Sequence, residues 1–153
     1  MAAPGTQFAG PLISGPRQYS DNDGPANTGL AVLSQTAVLT QNSTNNVSAT
    51  FTLPPNSQIL DFLVDTTTAW NSAVSAGLTI GTAALGTEYV SSIDVKANTS
   101  PRAALAPTTA QLAAMADINN NTSVVATVAV SGATSAGTTR VTIRYVQTLD
   151  WMS

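Results

Sequence analysis

The chain has 153 residues, 43% of them hydrophobic and only 8% charged, with five Lys/Arg against eight Asp/Glu and a net charge of −3. It contains neither histidine nor cysteine, which excludes Ser–His catalysis, His- or thiolate-bound zinc and a disulfide framework. Five cations, of which only Arg140 and Arg144 form a close pair, do not make the basic patch that neutralises phosphates, so no nucleic-acid partner is expected.

At this length one domain is expected, able to bury roughly 68–70% of its unfolded surface. With charged residues far below the usual ~25%, Thr, Ser, Asn and Gln must supply the polar surface. Such a surface resists association weakly and favours oligomers or docking onto a larger assembly. The opening residues MAAPGTQFAG lack the charged and continuous apolar regions of a signal peptide. No apolar run approaches the ~20 residues that span a membrane. Synthesis in the cytoplasm and no membrane partner are the expectation.

Residues 1–29 hold five of the ten glycines and four of the eight prolines (Pro4, Pro11, Pro16, Pro25), too closely spaced for a helix or a central strand. Phe8, Leu12, Ile13 and Tyr19 are spread through this stretch. It reads as an extended N-terminal arm, lying over its own domain or reaching a neighbouring subunit or other partner. The domain proper is expected over residues 30–149, with 150–153 as a C-terminal tail.

Leu30–Thr40 reads as a first strand with Leu33, Ala37 and Leu39 on one face, followed by turn residues Asn42-Ser-Thr-Asn-Asn46. Val47, Ala49, Phe51 and Leu53 then alternate with polar residues until Pro54-Pro55 stops the strand. The stretch 58–96 has the best claim to the core. Its first strand, Ile59–Thr66, sets Leu60, Phe62 and Val64 on one parity and Asp61 and Asp65 on the other. It continues through Trp70 to Leu78-Thr-Ile80. A loop bounded by Gly81 and Gly86 then leads to Tyr89–Val95, where Tyr89, Ile93 and Val95 alternate with polar positions.

Residues 101–116 are the one helix-like piece, with Thr108 or Thr109 as cap and Leu112 and Met115 on the short helix. Val124, Ala126, Val128 and Val130 form the next strand face. After the connector Gly132–Gly137, Val141, Ile143 and Tyr145 alternate with Arg140, Thr142 and Arg144. About seven or eight strands with one apolar face predict an all-β antiparallel sandwich, jelly roll or another Greek key.

Chemistry-bearing patterns are sparse. Asp61 and Asp65 share a strand face with Cα atoms roughly 13 Å apart at ~3.3 Å per residue, long for paired glycosidase carboxylates; they read as a solvated or interface-facing pair. A Ser–Lys site would need Lys96, the single lysine. Tyr19-Ser-Asp21-Asn-Asp23-Gly24 lacks the first and closing ligands of a calcium loop and is not an EF-hand. Gly81–Thr87 has phosphate-loop glycine spacing without the lysine and reads as a strand connection. No cofactor and no catalytic residue are expected. Arg140 and Arg144 are the better candidates, as protection of an exposed edge or as an interface to carboxylates of a partner. Trp151 would be the apolar anchor beside them, while Trp70 reads as core or rim packing.

The order TTTAWN, LTIGTAALGTEYV, SIDVKA and the late strand RVTIRYVQ, spanning about residues 30–148, resembles small virion proteins of tailed bacteriophages, in particular head decoration (cement) proteins and related head-fibre and neck proteins. The resemblance implies a structural protein, probing no chemistry. It implies attachment to the outside of an icosahedral head, with the major capsid protein and other copies of itself, as a trimer, for partners. A neck or tail component and a carbohydrate-binding or adhesin sandwich are the other readings the residues leave open.

Overall fold

Among the described residues, alternation of polar and apolar side chains yields seven strands, joined by one short helix. In chain order these are β1 (Leu33–Thr40), β2 (Val47–Thr52), β3 (Ser57–Thr68), β4 (Ser75–Gly81), β5 (Val90–Asp94), α1 (Thr109–Ala116), β6 (Ser123–Ser131) and β7 (Thr138–Gln147). The computed structural model describes residues 31–42, 46–96 and 102–147. One sheet has the order β1-β7-β3 and the other β2-β6-β4-β5, with every pairing antiparallel. The protein is an all-β sandwich. Four of its six strand-to-strand connections cross between the sheets.

Inward residues of both sheets meet in a single core. Leu39, Phe62, Val64, Val141 and Ile143 come from the three-stranded sheet, and Phe51, Leu78, Ile80, Val124 and Val128 from the four-stranded one. Phe62 and Tyr89 pack with ring centroids 6.0 Å apart. Trp70, expected in the core or at its rim, is 1% exposed. Its ring lies against Gly137, where a Cβ would fall 2.5 Å from the indole and the backbone has φ +155°. Only glycine fits there.

The structure revises several expectations. A β-bulge between Ile59 and Asp61 shifts the register of β3 against β7, so Ile59 joins Phe62 and Val64 in the core while Leu60 turns outward, 43% exposed. The strict alternation placing Leu60 inward therefore fails by one inserted residue. Thr108 caps α1 with a full capping box and Met115 is buried, but Leu112 is half-exposed and Gln111 is buried instead. Gln111 is the more useful inward residue because its side chain also donates to Thr87 O (3.1 Å) and Ser91 Oγ (3.0 Å).

β6 is covered on both faces, since outward-facing Val125 and Thr127 are buried as well. The Gly81–Gly86 connection folds over this face, where Leu85 N donates to Thr127 Oγ1 at 3.3 Å. The turn closes so tightly that a Cβ on Gly81 would lie 2.5 Å from the Gly86 carbonyl carbon. Those glycines serve the backbone turn, as the strand-connection reading holds.

Candidate interaction surface

The outward face of the β1-β7-β3 sheet carries four charged side chains, Asp61, Asp65, Arg140 and Arg144. The pairing register sets Ser34, Arg144 and Asp61 in one row across the three strands. Thr36, Thr142 and Leu63 form the next row, and Val38, Arg140 and Asp65 the one after. Antiparallel neighbours directly opposite lie within reach of one another, and the side chains connect. Arg144 donates to Asp61 through Nε (2.6 Å) and through Nη2. Arg140 Nη2 donates to Asp65 Oδ2 at 3.0 Å, and the Thr36 and Thr142 hydroxyls meet at 2.8 Å.

A third cation joins from outside the sheet. Arg102 forms an isolated bridge with Asp65 at the free edge of β3, fixed by Ala103 N donating to Val64 O at 2.9 Å. Its guanidinium grips Asp65 through Nε at 2.9 Å and Nη2 at 3.4 Å. Asp65 thus carries two arginines and its side chain is only 11% exposed. Among the described residues, three guanidiniums and two carboxylates meet on this face.

These contacts set the electrostatics. Hydrogen bonds from Arg102 and then Arg140 hold the Asp65 carboxyl below its ordinary value of about 3.8, against burial, which pushes it up. The bond from Arg144 does the same for Asp61, and the Arg102 and Arg144 guanidiniums are pushed up in turn by Asp65 and Asp61. All three guanidiniums stay about half exposed, at 57%, 50% and 47%. Pairs so open to water contribute little to stability; what they fix is the direction in which planar, bidentate donors point.

The candidate residues fare unequally. Arg140 and Arg144 stand together on this face, but β7 is the central strand of its sheet, so protection of an exposed edge is not their role. Their intrachain partners, Asp61 and Asp65, are correspondingly an ion-paired set and no solvated pair. Phe8, Leu12, Ile13, Tyr19 and Trp151, with the arm and the tail, lie outside the described residues. Sequence reading missed Arg102, which meets Asp65 across 37 positions, and exposed Val38 on the edge strand. No periodicity links such positions. Lys96 is committed elsewhere, its Nζ donating to Ala73 O and Val74 O at 3.2 and 3.3 Å.

Beside this face, at the free edge of β3, a groove of about 510 Å³ opens between the strand, residues 102–107 and α1. Leu60, Ile93, Leu105, Leu112 and Met115 make its wall largely apolar, with Arg102 and Asp61 among its lining residues. Among the described residues no group of three or more Asp or Glu is placed to hold a metal ion. None of their helices is long and apolar enough to cross a membrane.

Fold and face together define a charge-poor β-sandwich with one ion-paired sheet face and an apolar groove at its border. The same fold occurs in a chain of the cyanophage Pam1 capsid asymmetric unit, with a TM-score of 0.58. That likeness covers 87% of this chain and 99% of the other at 19% sequence identity. No family model and no curated protein matches the sequence.

Proposed function

We propose that this protein is a structural component of a bacteriophage virion that binds the outer surface of the icosahedral head and reinforces contacts between capsomers. The observation that carries the proposal is the fold shared with a chain of a cyanophage capsid asymmetric unit along almost the full length of both chains. The decoration role, rather than the shell itself, rests on the sequence resemblance to head decoration proteins. The proposed contact is the outward β1-β7-β3 face. Its arginines are oriented by their carboxylate partners yet half open to water, a geometry that suits acceptors on the major capsid protein.

Attachment as a trimer would add avidity. Once one copy docks, the contacts of its linked neighbours become intramolecular, so individually weak interfaces sum to persistent binding. The arm over residues 1–29, with Phe8, Leu12, Ile13 and Tyr19, would extend the contact to a neighbouring subunit or the capsid. The test is co-sedimentation of purified protein with heads that lack it, with copy number counted at saturation. Binding in many symmetry-related copies supports decoration. Binding of a few copies at one vertex makes it a neck component, and failure to bind heads overturns the proposal.

A further inference from the structure

Among the described residues, the outer edge of β1 is the one strand edge that carries no protection against pairing. We propose that it pairs antiparallel with the same edge of a second copy, about a two-fold axis at Ala37, joining two β1-β7-β3 sheets into one continuous sheet. This inference does not rest on the virion reading. Where three-fold association also forms, the pairing links one trimer to the next.

The backbone decides which groups face that edge. Gln41 N donates to Gly137 O at 3.0 Å, in step with the β1–β7 register. In an antiparallel ladder, residues that bond to the partner strand alternate with residues whose N–H and C=O point the other way. Leu33, Gln35, Ala37 and Leu39 therefore bond to β7, while Ser34, Thr36, Val38 and Thr40 turn their backbone groups to the outer side. No described strand pairs there. The other outer edges are covered or blunted. Residues 102 and 103 lie along β3, with Ala103 N donating to Val64 O. β2 is six residues long, and Gln35 Nε2 caps its Thr52 carbonyl at 2.8 Å. β5 is five residues long, its register with β4 shifts, and it ends in Asp94. β1 runs eight residues in unbroken register without a charge or a proline, and its Val38 is 58% exposed. A long, regular and uncharged edge is a template for another strand.

The edge is complementary to itself, which selects a second copy as the occupant. A two-fold axis at Ala37 sets Ser34 opposite Thr40 of the second copy and Thr36 opposite its Val38. All four outward-turned residues then fall in pairs that exchange both backbone bonds. Moving the axis to Thr36 or Val38 leaves one of the four without a partner in β1. The Thr–Val neighbours formed across the seam suit a pleated surface. Neither seam strand carries a charge, so like charges do not oppose the approach.

The chain has no cysteine, so single introduced cysteines report the seam. Across the two-fold axis, Ala37 and its copy form a non-hydrogen-bonded pair with Cα atoms about 4.5 Å apart, inside the range of about 4.4–6.8 Å that a disulfide spans. Val38 and its copy are offset by two residues, which at ~3.3 Å per residue and ~4.8 Å between strands sets them about 8 Å apart. Under mild oxidation Ala37→Cys should therefore form a covalent dimer several-fold faster than Val38→Cys, although Val38 is the more exposed of the two. Val38→Pro removes an N–H that faces the seam and keeps the bonds to β7, and Val38→Lys adds the charge that guards other edges. Both should retain the parent's circular dichroism. In sedimentation the parent should have at least twice the mass of the unit that either variant forms. A parent that sediments like both variants would overturn the proposal, as would cross-linking through Val38→Cys as fast as through Ala37→Cys.

Discussion

The indole Nε1 of Trp70 donates to the hydroxyl of Thr139 at 2.9 Å, both residues essentially without solvent exposure. This bond pins the chain just past the end of β3 to the first residues of β7. Thr139 Oγ1 also meets Thr66 Oγ1 at 3.2 Å, so one hydroxyl satisfies two buried groups. Thr139→Val, close to isosteric, removes both bonds and strands the indole N–H in the core. A loss of about 1–3 kcal/mol is expected, read as a lower urea midpoint at unchanged slope. A midpoint equal to the parent's would mean that water reaches Trp70.

Phe62 shows what the core itself contributes. It is 4% exposed and packs on Tyr89 between the two sheets. Phe62→Ala should cost about 3–5 kcal/mol, the sum of lost transfer energy and the cavity left behind. Leu60→Ala, two positions away on the outward side of the bulge, should cost far less. Equal losses at the two sites, measured by thermal or urea unfolding, would contradict the bulge.

Asp61 and Asp65 add a small contribution to the acid limb of stability. Both carboxyls are held below their ordinary value in the folded state. Between the folded and unfolded values the unfolded chain binds more protons, so stability rises with pH there. Their contribution is fully present above about pH 4–5 and is lost as pH falls through the folded values. Urea midpoints should hold steady from neutral pH to about pH 5 and drop below pH 4. In Asp61→Asn with Asp65→Asn that acid drop should be shallower. An identical acid limb would show that other carboxyls dominate it.

Arg140→Gln with Arg144→Gln separates stability from binding. Asp65 retains Arg102, so the fold should survive with a modest loss, while the proposed head-binding face loses two of its three guanidiniums. Co-sedimentation with heads should fall at least tenfold, and the parent's binding should weaken as salt is raised. A folded double variant that binds heads like the parent would remove this face from the interface.

Much of the strand pattern was legible in the sequence. Phe51, Val141 and Ile143 alternate with polar residues, Phe62, Val124 and Val128 keep the same period of two, and period two needs only local chain geometry to become a buried face. Prolines 54 and 55 and the Thr108 cap act within a few residues and were legible for the same reason. Composition by itself already removed histidine, cysteine and nearly all acid–base chemistry from the surface. What only the tertiary structure decided was which strands lie side by side. The order β1-β7-β3 makes β7 central and brings Arg140 and Arg144 onto Asp65 and Asp61, pairs 75 and 83 positions apart that no local rule connects. The bulge at Leu60 was hidden too, because an unpaired residue is defined only against the partner strand. Arg102 reaches Asp65 because residues 102 and 103 lie along the free edge of β3. The ion-paired face and the groove beside it are therefore products of strand order, which long-range packing selects and local propensity does not encode.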